Sequence, residues 1–153
     1  MDRLKITAGP YTFIARLLRD EAPKTCEAFV GRLPFKTKIV HVRWSGEAVW
    51  SPLGDYDFGV GQENHTSHPS RGDILLYPAA TSETEILITY GSCLFASKVG
   101  QLAGNYFLII EEGLENLTAL GKKCLWEGAQ DITFELTTGE QVDGKFVERL
   151  HAV

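Results

Sequence analysis

Four short apolar runs constrain this chain more than any other feature: Ile74 to Tyr77 (ILLY), Glu85 to Tyr90 (EILITY), Tyr106 to Ile110 (YFLII) and Ile132 to Leu136 (ITFEL). They are rich in β-branched and aromatic side chains and sit among glycine, proline and polar turn residues. Runs this short read as strands rather than buried helices. The first two, separated by the polar stretch Ala79 to Thr84, make a hairpin, the second arm closed by Gly91. Tyr11 to Leu18 adds a strand with Phe13, Ala15 and Leu17 on one face and Thr12, Ile14 and Arg16 on the other. The tail has strand character around Lys145 to Leu150, after a turn at Thr138-Gly139.

Only two stretches carry helical spacing. Asp20-Glu21-Ala22-Pro23 opens one: proline suits the first helical position, and the acidic pair suits the positive end of the helix dipole. Cys26, Phe29, Val30 and Leu33 give it a buried stripe, and Gly31 or Pro34 ends it. Leu114, Leu117 and Leu120 step along a second, with Gly121 just past its end and Lys122 and Lys123 near its negative terminus. The expected architecture is mainly β, a closed β-barrel with two short helices, as one domain over residues 1–153.

The stretch Lys38 to Trp50 (KIVHVRWSGEAVW) is the candidate functional element. It reads as two strands joined by a Ser45-Gly46 turn. A two-residue loop places Trp44 opposite Glu47, Arg43 opposite Ala48, Val42 opposite Val49 and His41 opposite Trp50. Alternation then puts His41, Arg43, Ala48 and Trp50 on one face. A cation, an imidazole and an indole suit a ligand groove better than a core. Arg43 would bind a carboxylate or phosphate through its planar guanidinium, Glu47 is a candidate base, and Trp44 reads as core.

Composition narrows the partners. A net charge of −5 with no basic cluster argues against nucleic acid. The N-terminus has no long apolar run, so neither a signal peptide nor a membrane span is expected. Three cysteines, Cys26, Cys93 and Cys124, fit reduced thiols in a cytoplasm, and their spacing matches no metal knuckle. Cys93, beside a turn, is the one thiol placed as a candidate nucleophile. Residues 51–70 form a long loop rich in Gly, Pro, Asp, Asn and Ser, and such loops are commonly functional. It holds a second cluster of ligand candidates, Glu63, His65 and His68, beside Asn64. Its His-x-x-His spacing lacks a third ligand unless His41 supplies it, so no metal and no cofactor are expected. His151 is read as solvated.

The order of these elements resembles the cyclophilin-like barrel. Cyclophilins open with a strand and then a helix of pattern Asp-x-Ala-Pro-Lys-Thr-x-x-x-Phe, matched here by Asp20-Glu21-Ala22-Pro23-Lys24-Thr25 and Phe29. A late strand leads to a short helix through Gly-Leu, as at Ile110-Glu111-Glu112-Gly113-Leu114. WSGEAVW, ENHTSHPSRGDILLYP and LWEGAQ are similar to a family of uncharacterised bacterial proteins with a cyclophilin-like fold, over nearly the whole chain. That resemblance implies a fold and little chemistry. Prolyl isomerases of this fold carry Phe-His-Arg, then Phe-Met-x-Gln-Gly-Gly-Asp and Trp-Leu-x-x-x-His; the last two are missing here, and Val42 separates Arg43 from His41.

The reading is therefore a cyclophilin-like protein that binds, or converts, a small anionic metabolite beside the 38–50 ribbon. If chemistry follows, proton abstraction or hydrolysis on a small organic acid is the class to test. A peptidyl-prolyl isomerase is one alternative. A non-enzymatic interaction subunit, homo-oligomeric or otherwise, using Trp44, Tyr56 or Phe58 is another.

Overall fold

The structure, a computed structural model, describes residues 2–137 and the backbone of 140–142 and 145–147. β1 (Arg3–Ala8) alternates between half-exposed and buried residues, with Leu4, Ile6 and Ala8 inward, and pairs with β2 (Tyr11–Leu17). The chain then enters α1 (Pro23–Val30), with Pro23 at its start and Gly31 at its end, as the sequence implies. Phe29 is fully buried, and its ring meets those of Phe107 and Phe134 edge-on at 5.1 Å. The helix thus plugs the sheet with an aromatic centre.

β3 (Phe35–His41) and β4 (Gly46–Pro52) form the ribbon. The short β5 (His65–Thr66) follows the long loop, then β6 (Asp73–Tyr77) and β7 (Glu85–Cys93) make the expected hairpin. β7 runs through Gly91 rather than stopping there, because Gly46 of β4 pairs with Cys93. β8 (Ala96–Ser97) and β9 (Gly100–Gln101) form a small ribbon before β10 (Gly104–Glu112). A 3-10 turn at Leu114–Asn116 leads into α2 (Leu117–Glu127), then β11 (Gln130–Leu136). β12 (Glu140–Val142) pairs with β13 (Lys145–Val147), in the expected tail strand. The Thr138-Gly139 turn, the rest of that tail strand and His151 lie outside the described residues.

The strand order β2-β1-β11-β3-β4-β7-β6-β10 closes through a β2–β10 pairing, with β5 added beside β10. This is a closed eight-stranded barrel with two helices. Closure leaves those strands no open edge, and the interior is filled by side chains. A second apolar cluster lies across the outer face of β4, β6 and β7, where Ala48, Leu75, Tyr77 and Leu87 meet Phe95 and Leu102. Every residue of β6 is buried for this reason. Among the described residues no helix is long and apolar enough to cross a membrane.

α2 differs most from expectation. Gly121 is not its end but a buried residue within it, and the helix continues to Glu127, closing at Gly128 with φ 91°. A Cβ on Gly121 would overlap the Tyr90 ring, so glycine here lets the helix lie against the barrel. The glycine that reads as a stop signal is a packing device. The extra turns carry Cys124, Leu125 and Trp126 onto the helix.

Candidate functional site

The ribbon forms, but one residue out of the expected register. Val40 pairs with Trp50 and His41 with Val49. The cause is tertiary. Ser45 is buried, its Oγ donates to the Ala96 carbonyl and accepts from the Ala96 N–H, and its own carbonyl accepts from Leu94 N. The following segment holds the tip in place, so the connection is longer than a two-residue turn. A one-residue slip reverses faces. His41 therefore shares a face with Val49, toward the interior, while Trp50 joins Val42 and Ala48 on the outer cluster. Trp44, expected in the core, lies at the tip and is 58% exposed.

A cavity of about 660 Å³ nevertheless opens around this ribbon, within the size range of small-molecule sites. Its wall includes His41, Arg43, Trp44, Trp50, Ser82, Glu83, Glu85, Lys98 and Leu125. So three of the candidates, His41, Arg43 and Trp50, border one space although they do not share one face. Arg43 is exposed and makes no ion pair or hydrogen bond with another described side chain, and the same holds for Lys98. Two unpaired cations thus border a cavity with an indole in its wall.

Glu85 is the residue the sequence reading does not single out. It opens β7, is 5% exposed, and faces Pro52 and Tyr77 across the sheet. Trp50 pairs with Leu87, so Glu85 is its diagonal neighbour on the same face. The Glu85 carboxyl accepts no hydrogen bond from another described residue, and burial, with the Glu83 carboxylate second, pushes its pKa up to about 8. A carboxyl with a raised pKa and no protein partner in a cavity wall makes Glu85 a candidate site residue. The available sequence signal was a carboxylate heading an otherwise apolar strand.

The remaining candidates are held by contacts within the protein. His41 is held between two partners: Nδ1 lies 2.8 Å from the Val42 carbonyl and Nε2 lies 2.7 Å from the Tyr90 hydroxyl. The first contact makes Nδ1 the protonated nitrogen, so Tyr90 donates to Nε2. His41 is thus an oriented group in the cavity wall. Glu47 is not in the cavity wall. Its Oε1 accepts the Ser92 N–H at 2.8 Å, pinning a β-bulge where a Cβ on Gly91 would overlap the same carboxylate.

Glu63 caps α1 from a distance. Its carboxylate accepts the backbone N–H groups of Lys24 and Thr25 and the Thr25 hydroxyl. These are among the orphan donors of a helix start, and Ala22 offers no side-chain cap. Burial pushes the Glu63 pKa up, but those hydrogen bonds outweigh it and hold it below the usual value. His65 lies exposed on β5 and His68 exposed beyond it; neither borders the cavity. No group of three His, Cys, Asp or Glu among the described residues could hold a metal ion. Burial pushes all three thiols up to about 11, Cys93 included, which leaves them poor nucleophiles at neutral pH.

Comparison with known proteins follows the barrel. A structure of McbB in complex with tryptophan superposes with a TM-score of 0.68 at 17% identity over 92% of this chain. This chain spans 46% of that protein's length. A hypothetical protein of Archaeoglobus fulgidus superposes with a TM-score of 0.58 at 16% identity, covering 88% of this chain and 93% of that one. A cyclophilin-type peptidyl-prolyl cis-trans isomerase of Cryptosporidium parvum, crystallised with an alanyl-proline dipeptide, superposes with a TM-score of 0.50 at 18% identity, covering 78% of this chain and 84% of that one. At these identities the likeness is one of fold, and the fold is cyclophilin-like. No curated protein matches the sequence. Residues 4–136 match the model of the family described as "Protein of unknown function (DUF3830)", and the chain belongs to that family.

Proposed function

We propose that the cavity beside the ribbon binds a small organic anion, with Arg43 holding its carboxylate and Trp50 providing a flat apolar wall. The observation that carries this reading is the unpaired Arg43 guanidinium at a cavity of about 660 Å³. An exposed arginine with no protein partner keeps its planar donor set for an incoming carboxylate. His41, oriented by Tyr90 and Val42, lines the same space and offers a polar edge. Tryptophan, bound by a protein of similar fold, is a flat carboxylate-bearing molecule of the size such a cavity accepts. The three cysteines are free thiols, which suits work in a reducing compartment such as a cytoplasm.

The test is a thermal-shift screen of the purified protein against aliphatic and aromatic carboxylic acids. A ligand at about 100 times its dissociation constant adds roughly 2.7 kcal/mol. For a domain of this size that raises the midpoint by about 5–10 °C. The expected result is a shift from an organic acid that Arg43→Ala abolishes and a distant control, Lys24→Ala, preserves. An undiminished shift in Arg43→Ala refutes the role of Arg43.

A further inference from the structure

The charged groups in the cavity wall are sorted along it. Glu85 faces Pro52, two residues from Trp50 along β4, and so lies about 7 Å to one side of the indole at ~3.3 Å per residue. Arg43 follows the end of β3, beyond Val40, which faces Trp50, and because β3 runs antiparallel to β4 it lies toward the other side. Lys98 adds a second cation, and Glu83 a second carboxylate beside Glu85. One Glu83 oxygen already accepts the Gly54 N–H at 3.0 Å. Glu85 is 95% buried, being 5% exposed, and its carboxyl has no partner among the described residues. An anion alone does not account for it: a carboxyl next to a second acid, in a wall otherwise built to attract negative charge, repels such a ligand once ionised. Buried charges need a partner of opposite sign. An ammonium group on the ligand supplies one, and it also donates the hydrogen bonds that Glu85 lacks.

We infer that Glu85, with Glu83, forms an ammonium subsite, so that the occupant is an aminocarboxylate whose two charged ends are separated by a flat apolar spacer lying on Trp50. This rests on the anion-binding reading above and deepens it. The other groups near Glu85 fit the assignment. Tyr77, its cross-strand neighbour, has its hydroxyl engaged by Thr81, whose N–H donates to it at 3.2 Å. Lys98 and Arg43 are in the same wall without pairing to Glu85. When an ammonium arrives, Glu85 ionises and gives its proton to solvent, and the charge of the subsite balances.

Three probes of one shape test this: 4-(aminomethyl)phenylacetic acid, 4-methylphenylacetic acid and 4-methylbenzylamine, titrated calorimetrically into the intact protein. The wild type is expected to bind the amino acid at least about tenfold more tightly than the acid without the amine. In Glu85→Gln that gap closes, while affinity for 4-methylphenylacetic acid is kept. In the wild type at pH 7, titration in two buffers of different ionisation heat is expected to show release of nearly one proton with the amino acid and none with the plain acid. That second readout needs no variant. Equal affinity for the two acids, with no proton released, overturns the ammonium subsite and leaves the anion site standing. Failure of both acids to bind overturns both.

Discussion

Replacing Glu85 with glutamine should make the protein more stable as the pH rises, by an amount the structure sets. The native Glu85 carboxyl holds its proton up to about pH 8, against an ordinary value of 4.5. Its folded-state pKa is raised, so the neutral form favours folding. The contribution is complete below the unfolded value and is lost as the pH climbs toward the folded one. Within that window the unfolded chain has released a proton that the native chain keeps, and stability falls by about 1.4 kcal/mol per pH unit. Between pH 5 and pH 8 the loss sums to roughly 3 kcal/mol, a large share of the 5–15 kcal/mol typical of a domain. Glutamine mimics the protonated carboxyl and cannot ionise. Urea denaturation at pH 5, 6, 7 and 8 is the assay, read as the difference in unfolding free energy between Glu85→Gln and wild type. Other titrating groups cancel in that difference. It is expected to grow in favour of the variant across the series and to flatten above pH 9. A constant or shrinking difference refutes a buried, uncharged Glu85.

Glu63→Gln keeps the shape of the remote helix cap but removes its charge, and should cost about 1 kcal/mol at pH 7 by chemical denaturation. Because the folded Glu63 pKa is depressed, that cost is present above the ordinary carboxylate value and fades as the pH falls through the native one. Gly121→Ala gains about 1 kcal/mol of helix propensity but drives a methyl into the Tyr90 ring. It should be destabilising by a net 1–2 kcal/mol, whereas a stabilised variant would show that α2 does not pack as described. Glu47→Ala should lower stability by about 1 kcal/mol through loss of the Ser92 hydrogen bond while leaving the affinity for any cavity ligand unchanged, as titration calorimetry would show.

The strands and α1 are legible because local signals and tertiary demand agree there. Ile74 to Tyr77 is apolar throughout and buried throughout; Pro23 opens α1 and Gly31 ends it. β1 has a clean alternation at Arg3–Ala8 that is as readable as the others, yet nothing in the sequence analysis assigns it. Where the sequence misleads, a distant partner decides. Gly121 looks like a helix stop, but the Tyr90 ring needs its missing side chain. Ser45-Gly46 looks like a two-residue turn, but Ala96 captures the Ser45 hydroxyl and shifts the register, separating His41 from Trp50. Glu63, a cavity candidate by its neighbours in sequence, belongs to a helix end nearly forty residues earlier. Glu85 escapes notice because a lone carboxylate at a strand start is ordinary until the fold buries it without a partner.

The most direct measurement of the central claim is the affinity of one organic acid for the wild type, Arg43→Lys and Arg43→Ala, by titration calorimetry at a fixed pH of 7. Using 4-methylphenylacetic acid, the account predicts binding to wild type, a loss of about tenfold or more in Arg43→Lys as the bidentate contact goes, and no measurable binding in Arg43→Ala. Equal affinity across the three proteins, all folded to the same melting midpoint, would place the carboxylate elsewhere and contradict the site.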